Sequence, residues 1–128
     1  VLGSKGKMHD VVIGTPSAGP IADNNDAPEW KAFVEEYKKL PDAFPSPSLF
    51  AHGYYVNMKA ALMALDAVDA DVSDGGKKLR ETLAGLELDT PTGTIKLDAN
   101  RNAVADMYLT EVAEGDDGNL YNKLVTVV

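Results

Sequence analysis

The chain has 128 residues, of which 45% are hydrophobic and 25% charged, the composition of one ordinary globular domain or part of one. Its net charge of −8 argues against nucleic acid and against an anionic membrane surface as partners, because both need clustered Lys and Arg. Cysteine is absent, which removes disulfides and thiolate metal sites, and no apolar run approaches the ~18 residues of a membrane span.

The first ten residues, VLGSKGKMHD, are polar and basic and read as a loop or as the tail of a helix. They are not a signal peptide, and without an initial Met they suggest a fragment of a longer protein. Val11-Val12-Ile13 is β-branched and apolar and precedes Gly14-Thr15-Pro16, which predicts a buried strand ending in a turn. Residues 14–27 form a long loop or crossing segment. Asp26 and Glu29 have capping-box spacing ahead of an amphipathic helix carrying Trp30, Phe33, Val34, Tyr37 and Leu40, stopped by Pro41. Pro45 and Pro47 keep the next linker from becoming helical.

The stretch from Pro45 to about Ala70 predicts one long helix, with Ser46 or Ser48 as its cap. Ala51, Tyr54, Tyr55, Met58, Ala61, Leu62 and Leu65 recur at helical spacing, and Lys59 is the only charge between Leu49 and Leu65. A helix so apolar is expected to be covered on most of its circumference. Its first turn holds His52, Gly53, Tyr54 and Tyr55, the densest cluster of ligand-capable side chains in the sequence. Ser73 or Asp74 caps a third helix carrying Leu79, Leu83 and Leu86. Thr90-Pro91-Thr92-Gly93 is a turn, and residues 94–97, 105–112 and 120–128 alternate as strands. Residues 114–119 join the last two in a hairpin, where Gly118 or Asn119 can take positive φ. The first strand, paired only with that late hairpin, could not also cover three helices, so its partner strands are expected to lie outside the chain.

Chemistry is poorly supported. There is no Cys, there are only two His, and no Ser sits in a G-x-S-x-G turn, so no catalytic residue is expected. His9-Asp10 and the carboxylates Asp23, Asp26, Asp116 and Asp117 lack the alternation and the closing Glu of a calcium loop. No metal and no cofactor is therefore expected.

The order and the local signatures together resemble the C-terminal third of a type I periplasmic solute-binding protein of ABC transporters, in the branched-chain amino acid (Leu/Ile/Val) receptor group. The residues that carry the likeness are Val11-Val12-Ile13 before a crossing, Trp30-x-x-Phe33-x-x-x-Tyr37, Ala51-His52-Gly53-Tyr54 followed by Ala60 to Leu65, Asp89-Thr90-Pro91-Thr92-Gly93-x-Ile95-x-Leu97-Asp98, and Tyr108 to Val112 with the Gly115-Asp116 turn. The resemblance implies an α/β fold, a piece of a two-lobed receptor that closes on a solute about a hinge. Residues 14–100 would belong mainly to the N-terminal lobe, and residues 1–13 and 101–128 to the hinge and second lobe. It implies a periplasmic location and as partners a small-molecule solute (an amino acid or aromatic carboxylate), an ABC permease and the remainder of the receptor chain. The ligand-binding residues expected here are His52, Tyr54 and Tyr55 at the start of the central helix, with Thr15 and Ser17 at the hinge. Two other readings fit the residues: a ligand-sensing domain of a regulator or receptor with the same fold, and a small autonomous α/β interaction module.

Overall fold

A computed structural model of the chain describes residues 8–128, so most of the expected N-terminal loop lies outside the described residues. The chain runs through a single helical turn α1 (His9–Val12), strand β1 (Pro16–Gly19), helices α2 (Pro28–Tyr37), α3 (Leu49–Ala67) and α4 (Lys77–Ala84), and strands β2 (Glu87–Thr90), β3 (Gly93–Leu97), β4 (Ala103–Val104), β5 (Tyr108–Glu114) and β6 (Leu120–Val127). The strands form two antiparallel three-stranded sheets, ordered β1-β5-β6 and β2-β3-β4.

Val11-Val12-Ile13 is not a buried strand. The Val12 N–H closes a helical turn onto the Met8 carbonyl at 3.3 Å, and Val11 and Ile13 are exposed. Gly14, at φ +81°, turns the chain there, and the paired strand begins only after it, at Pro16. Pro16 has no N–H to donate, which suits the first residue of an edge strand. β1 then pairs with β5 from Pro16↔Glu111 to Gly19↔Tyr108. The first strand therefore finds its partner inside the chain, contrary to the expectation from sequence. The two goals conflict only if one sheet must cover all the helices; here β2-β3-β4 forms a second sheet of its own.

In α2 the expected capping box does not form. Pro28 occupies the first turn, Ala27 is the N-cap, and its N–H is taken by the Asn25 side-chain oxygen at 3.0 Å. Asp26 instead pairs with Lys31 at 2.9 Å on the exposed surface. Trp30 is fully buried beneath this helix. α3 begins at its Ser48 cap, whose hydroxyl accepts from the Ala51 N–H at 3.2 Å. It ends at Ala67, where Asp69 and Ala70 take left-handed backbone and the Ala70 N–H returns to the Leu65 carbonyl. His52, Val56 and Ala64 are its buried line. The opposite line, Phe50, Tyr54, Met58 and Leu62, is exposed, so α3 is not covered on most of its circumference by the described residues. Ahead of α4, the Asp74 carboxylate accepts from the Lys77 and Lys78 N–H groups, which also holds it below the usual carboxylate range.

Two polar ties join the parts. The buried Tyr108 hydroxyl of β5 donates to the Thr92 carbonyl in the β2–β3 turn at 3.2 Å and accepts from the Asn25 amide at 3.3 Å. The segment Asp23–Asn24 runs beside β6, where the Asp23 N–H meets the Asn122 carbonyl and the Asn24 side-chain oxygen accepts from the Leu124 N–H. The β5–β6 hairpin turns at Gly118, φ +73°.

Candidate functional site: a cleft between the first sheet and the start of α3

A cleft of about 490 Å³ opens between β1 and the N-terminus of α3. One wall is Ser17, Ala18, Gly19, Pro20 and Ile21, leaving β1; the facing wall is Phe44 and Ser46 to Phe50, entering α3. Thr110 and Asn122 of the sheet, with Asp23, complete the lining. The local sequence explains the shape. Pro20 ends β1 and turns the chain out of the sheet, while Pro47, itself fully buried, holds the approach to α3 extended up to the Ser48 cap.

Asp23 holds the two walls together. One carboxylate oxygen accepts from the Ser46 hydroxyl at 2.5 Å, the other from the Asn122 N–H at 2.7 Å. Both oxygens of Asp23 are thus engaged by the frame. The remaining surface is apolar: Phe44, Leu49 and Phe50 are each more than half exposed, and they face Ala18, Pro20 and Ile21. Among the described residues no Lys, Arg or His lines the cleft. The N–H groups of Leu49 and Phe50 have no acceptor within the helix, and the positive end of a 19-residue helix dipole points there.

Of the ligand-binding residues expected from sequence, Ser17 lines this cleft, and His52, Tyr54, Tyr55 and Thr15 do not. Thr15 lies just before β1, where its carbonyl accepts from the Val112 N–H. His52 is 2% exposed. Its Nε2 meets the Thr92 hydroxyl at 3.1 Å, and its ring packs against Trp30 and Phe33. Burial pushes its pKa below the ordinary histidine value. Tyr54 is 77% exposed on the outer line of α3. Tyr55 leans on Phe33, ring centroids 4.9 Å apart, and both border a second groove with Lys59 and Asp89. The rotation of about 100° per helical residue sets His52 about 200° beyond Phe50, so Phe50 faces the cleft while His52 faces inward. Sequence reading missed Phe44, Leu49, Phe50 and Ile21. The signal available for them was an apolar pair directly after a proline-spaced cap, in Pro45-Ser46-Pro47-Ser48-Leu49-Phe50.

Among the described residues no three His, Asp or Glu side chains are grouped to hold a metal ion, and no helix is long and apolar enough to cross a membrane.

A mixed α/β chain with an apolar cleft beside a helix N-terminus has the build of a ligand-holding module. The sequence pattern of the family described as "Periplasmic binding protein" matches residues 2–119, and the chain belongs to that family. It is 34% identical over 119 residues to the Leu/Ile/Val-binding protein homolog 6 of Brucella abortus (strain 2308), covering 87% of this chain and 28% of that protein. Among solved structures it superposes on a solute binding protein of an ABC transporter from Rhodopseudomonas palustris BisB5, in complex with 3,4-dihydroxybenzoic acid, with TM-score 0.82 and 26% identity over 99% of this chain and 33% of that one. An ABC transporter substrate-binding protein from Sphaerobacter thermophilus gives 0.80 and 26% over 93% and 32%. The chain therefore spans less than a third of the length of the curated relatives it matches.

Proposed function

We propose that the chain forms part of a periplasmic receptor that captures a small acid by hinge closure and delivers it to an ABC permease, without chemistry on the solute. The observation that carries this is the cleft itself: an apolar wall of Phe44, Leu49, Phe50 and Ile21 on a frame pinned by Asp23. Family membership and the structural likeness to solute-binding proteins of ABC transporters support it. In this reading residues 14–100 lie mainly in one lobe, and the crossings near Thr15–Ser17 and residues 100–105 flex.

The lining favours an aromatic carboxylate over an amino acid. Each oxygen of Asp23 already accepts a hydrogen bond from the frame, while the aromatic wall suits a flat ring and the α3 N-terminus suits an anion. The 3,4-dihydroxybenzoic acid held by a neighbour is of that class. Ser17 would then meet a ring substituent. Of the other residues read from sequence, Tyr54 shares the exposed line of α3 with Phe50, and a solute gripped there could reach it.

The test is isothermal titration of the whole protein with benzoate, 4-hydroxybenzoate, 3,4-dihydroxybenzoate, leucine, isoleucine and valine. At least one aromatic acid should bind, and Phe50→Ala should weaken it by roughly tenfold or more, with Tyr54→Ala having a smaller effect. Binding of the aliphatic amino acids alone would replace the aromatic reading; binding unaffected by Phe50→Ala would remove this cleft from the site.

A further inference from the structure

We propose that His52 is a proton-operated latch on the first turn of α3, neutral and closed at neutral pH and released by protonation in mild acid. The imidazole is enclosed by Trp30 and Phe33 of α2, with ring centroids 6.2 and 6.1 Å away. Among the described residues its one polar side-chain partner is the Thr92 hydroxyl of the β2–β3 turn, which shares its oxygen with Thr90. Behind Thr92 stands the Tyr108 hydroxyl, neutral and held so by burial. The charged groups on the neighbouring elements, Glu29 and Glu36 of α2, Lys59 of α3 and Asp89 of β2, border the outer groove beyond Phe33 and Tyr55, and Asp106 lies beside Gly93 at the β2–β3 turn. Among the described residues the imidazole thus meets two rings and a neutral hydroxyl, and no carboxylate hydrogen-bonds to it.

Two further features work against the charged form. Burial is the cause of the lowered His52 pKa, with no charged partner opposing it. His52 is also the fourth residue of α3, where the positive end of the helix dipole repels a cation. The sign follows. As pH falls below the unfolded-state value of about 6.5, the unfolded or opened state binds a proton that the closed state refuses. Closure is therefore fully favoured above that pH and loses free energy as pH falls from there towards the lowered folded value. The first thing to open is the turn that holds the ring: the His52 N–H bonds the Ser48 carbonyl, and Leu49 and Phe50 lie between them. Those two residues are the cleft wall. That the opening disturbs a solute rests on the cleft reading above; the opening itself does not.

The experiment uses the whole protein labelled with 5-fluorotryptophan, the Trp30 signal being assigned by its loss in Trp30→Phe. Between about pH 8 and about pH 5 the Trp30 signal should move in the wild type and stay flat in His52→Gln. His52→Phe, which fills the enclosure with another ring, repeats the comparison should the glutamine variant fold poorly. At about pH 5, hydrogen-exchange protection of residues 48–53 should be lower in the wild type than in either variant by roughly tenfold. A Trp30 transition that persists without His52, or equal protection of that turn in wild type and variants, overturns the latch. Neither readout needs a solute, so failure to find a ligand leaves the result intact.

Discussion

Tyr108 does more at the residue scale than its place in an edge hairpin suggests. Its hydroxyl is the meeting point of β5, the β2–β3 turn and the loop before α2. Tyr108→Phe keeps the ring and strands a buried carbonyl and a buried amide. It should therefore cost about 1–3 kcal/mol in urea unfolding, the usual range for orphaned buried polar groups. A change within a few tenths of a kcal/mol would mean that water replaces the hydroxyl. Trp30 stands in contrast: its indole N–H is buried without a partner among the described residues. The Trp30 site therefore contributes through ring packing against Phe33 and His52, not through hydrogen bonding.

At the scale of elements, α3 is the long rigid piece, and its interior contains a glycine. Gly53 sits inside the first half of the helix with open space where a Cβ would go. Gly53→Ala should therefore stabilise the protein by about 0.5–1 kcal/mol through the unfolded chain's lost freedom, seen as a raised melting temperature. A lower melting temperature would show that the open space is filled in the whole protein.

The same element shows what could be read in advance. The helical spacing from Ala51 to Leu65 and the Ser48 cap were legible because both are local. Which side of the helix is buried was not, since that depends on α2 and the β2–β3 turn arriving from elsewhere, and so His52 looked like a ligand contact. The start of the chain misled for a different reason. Three β-branched residues outweigh one glycine in any count of propensities, yet the paired strand begins only beyond Gly14 with its positive φ. Strand β2 escaped because Leu86-Glu87-Leu88-Asp89 is too short to show a period. The cleft was hidden because it joins residues 17–23 to residues 44–50 and 110–122, a juxtaposition that only the folded chain makes.

At the scale of the molecule, apolar surface is the dominant feature. Phe50, Tyr54, Met58 and Leu62 make one exposed line, and Leu109, Val125 and Val127 expose further apolar area on the first sheet. Continuous apolar surface of this kind draws proteins into association. The 128-residue chain by itself should self-associate in light scattering at micromolar concentration, and Tyr54→Lys with Met58→Glu should reduce that. A monodisperse monomer would show that the exposed line is tolerated in water, its net charge of −8 keeping copies apart.

The tie through Asp23 divides the cleft into two kinds of residue. Asp23, Ser46, Ser48 and the backbone of Asn122 fix its width, and none of them is apolar. Phe44, Leu49, Phe50 and Ile21 give it its surface, and their side chains make none of those hydrogen bonds. Under the proposed function, selectivity and architecture are therefore written in separate alphabets. A protein engineer can exchange the four apolar letters to retune a sensor while leaving the scaffold that spells out the opening untouched.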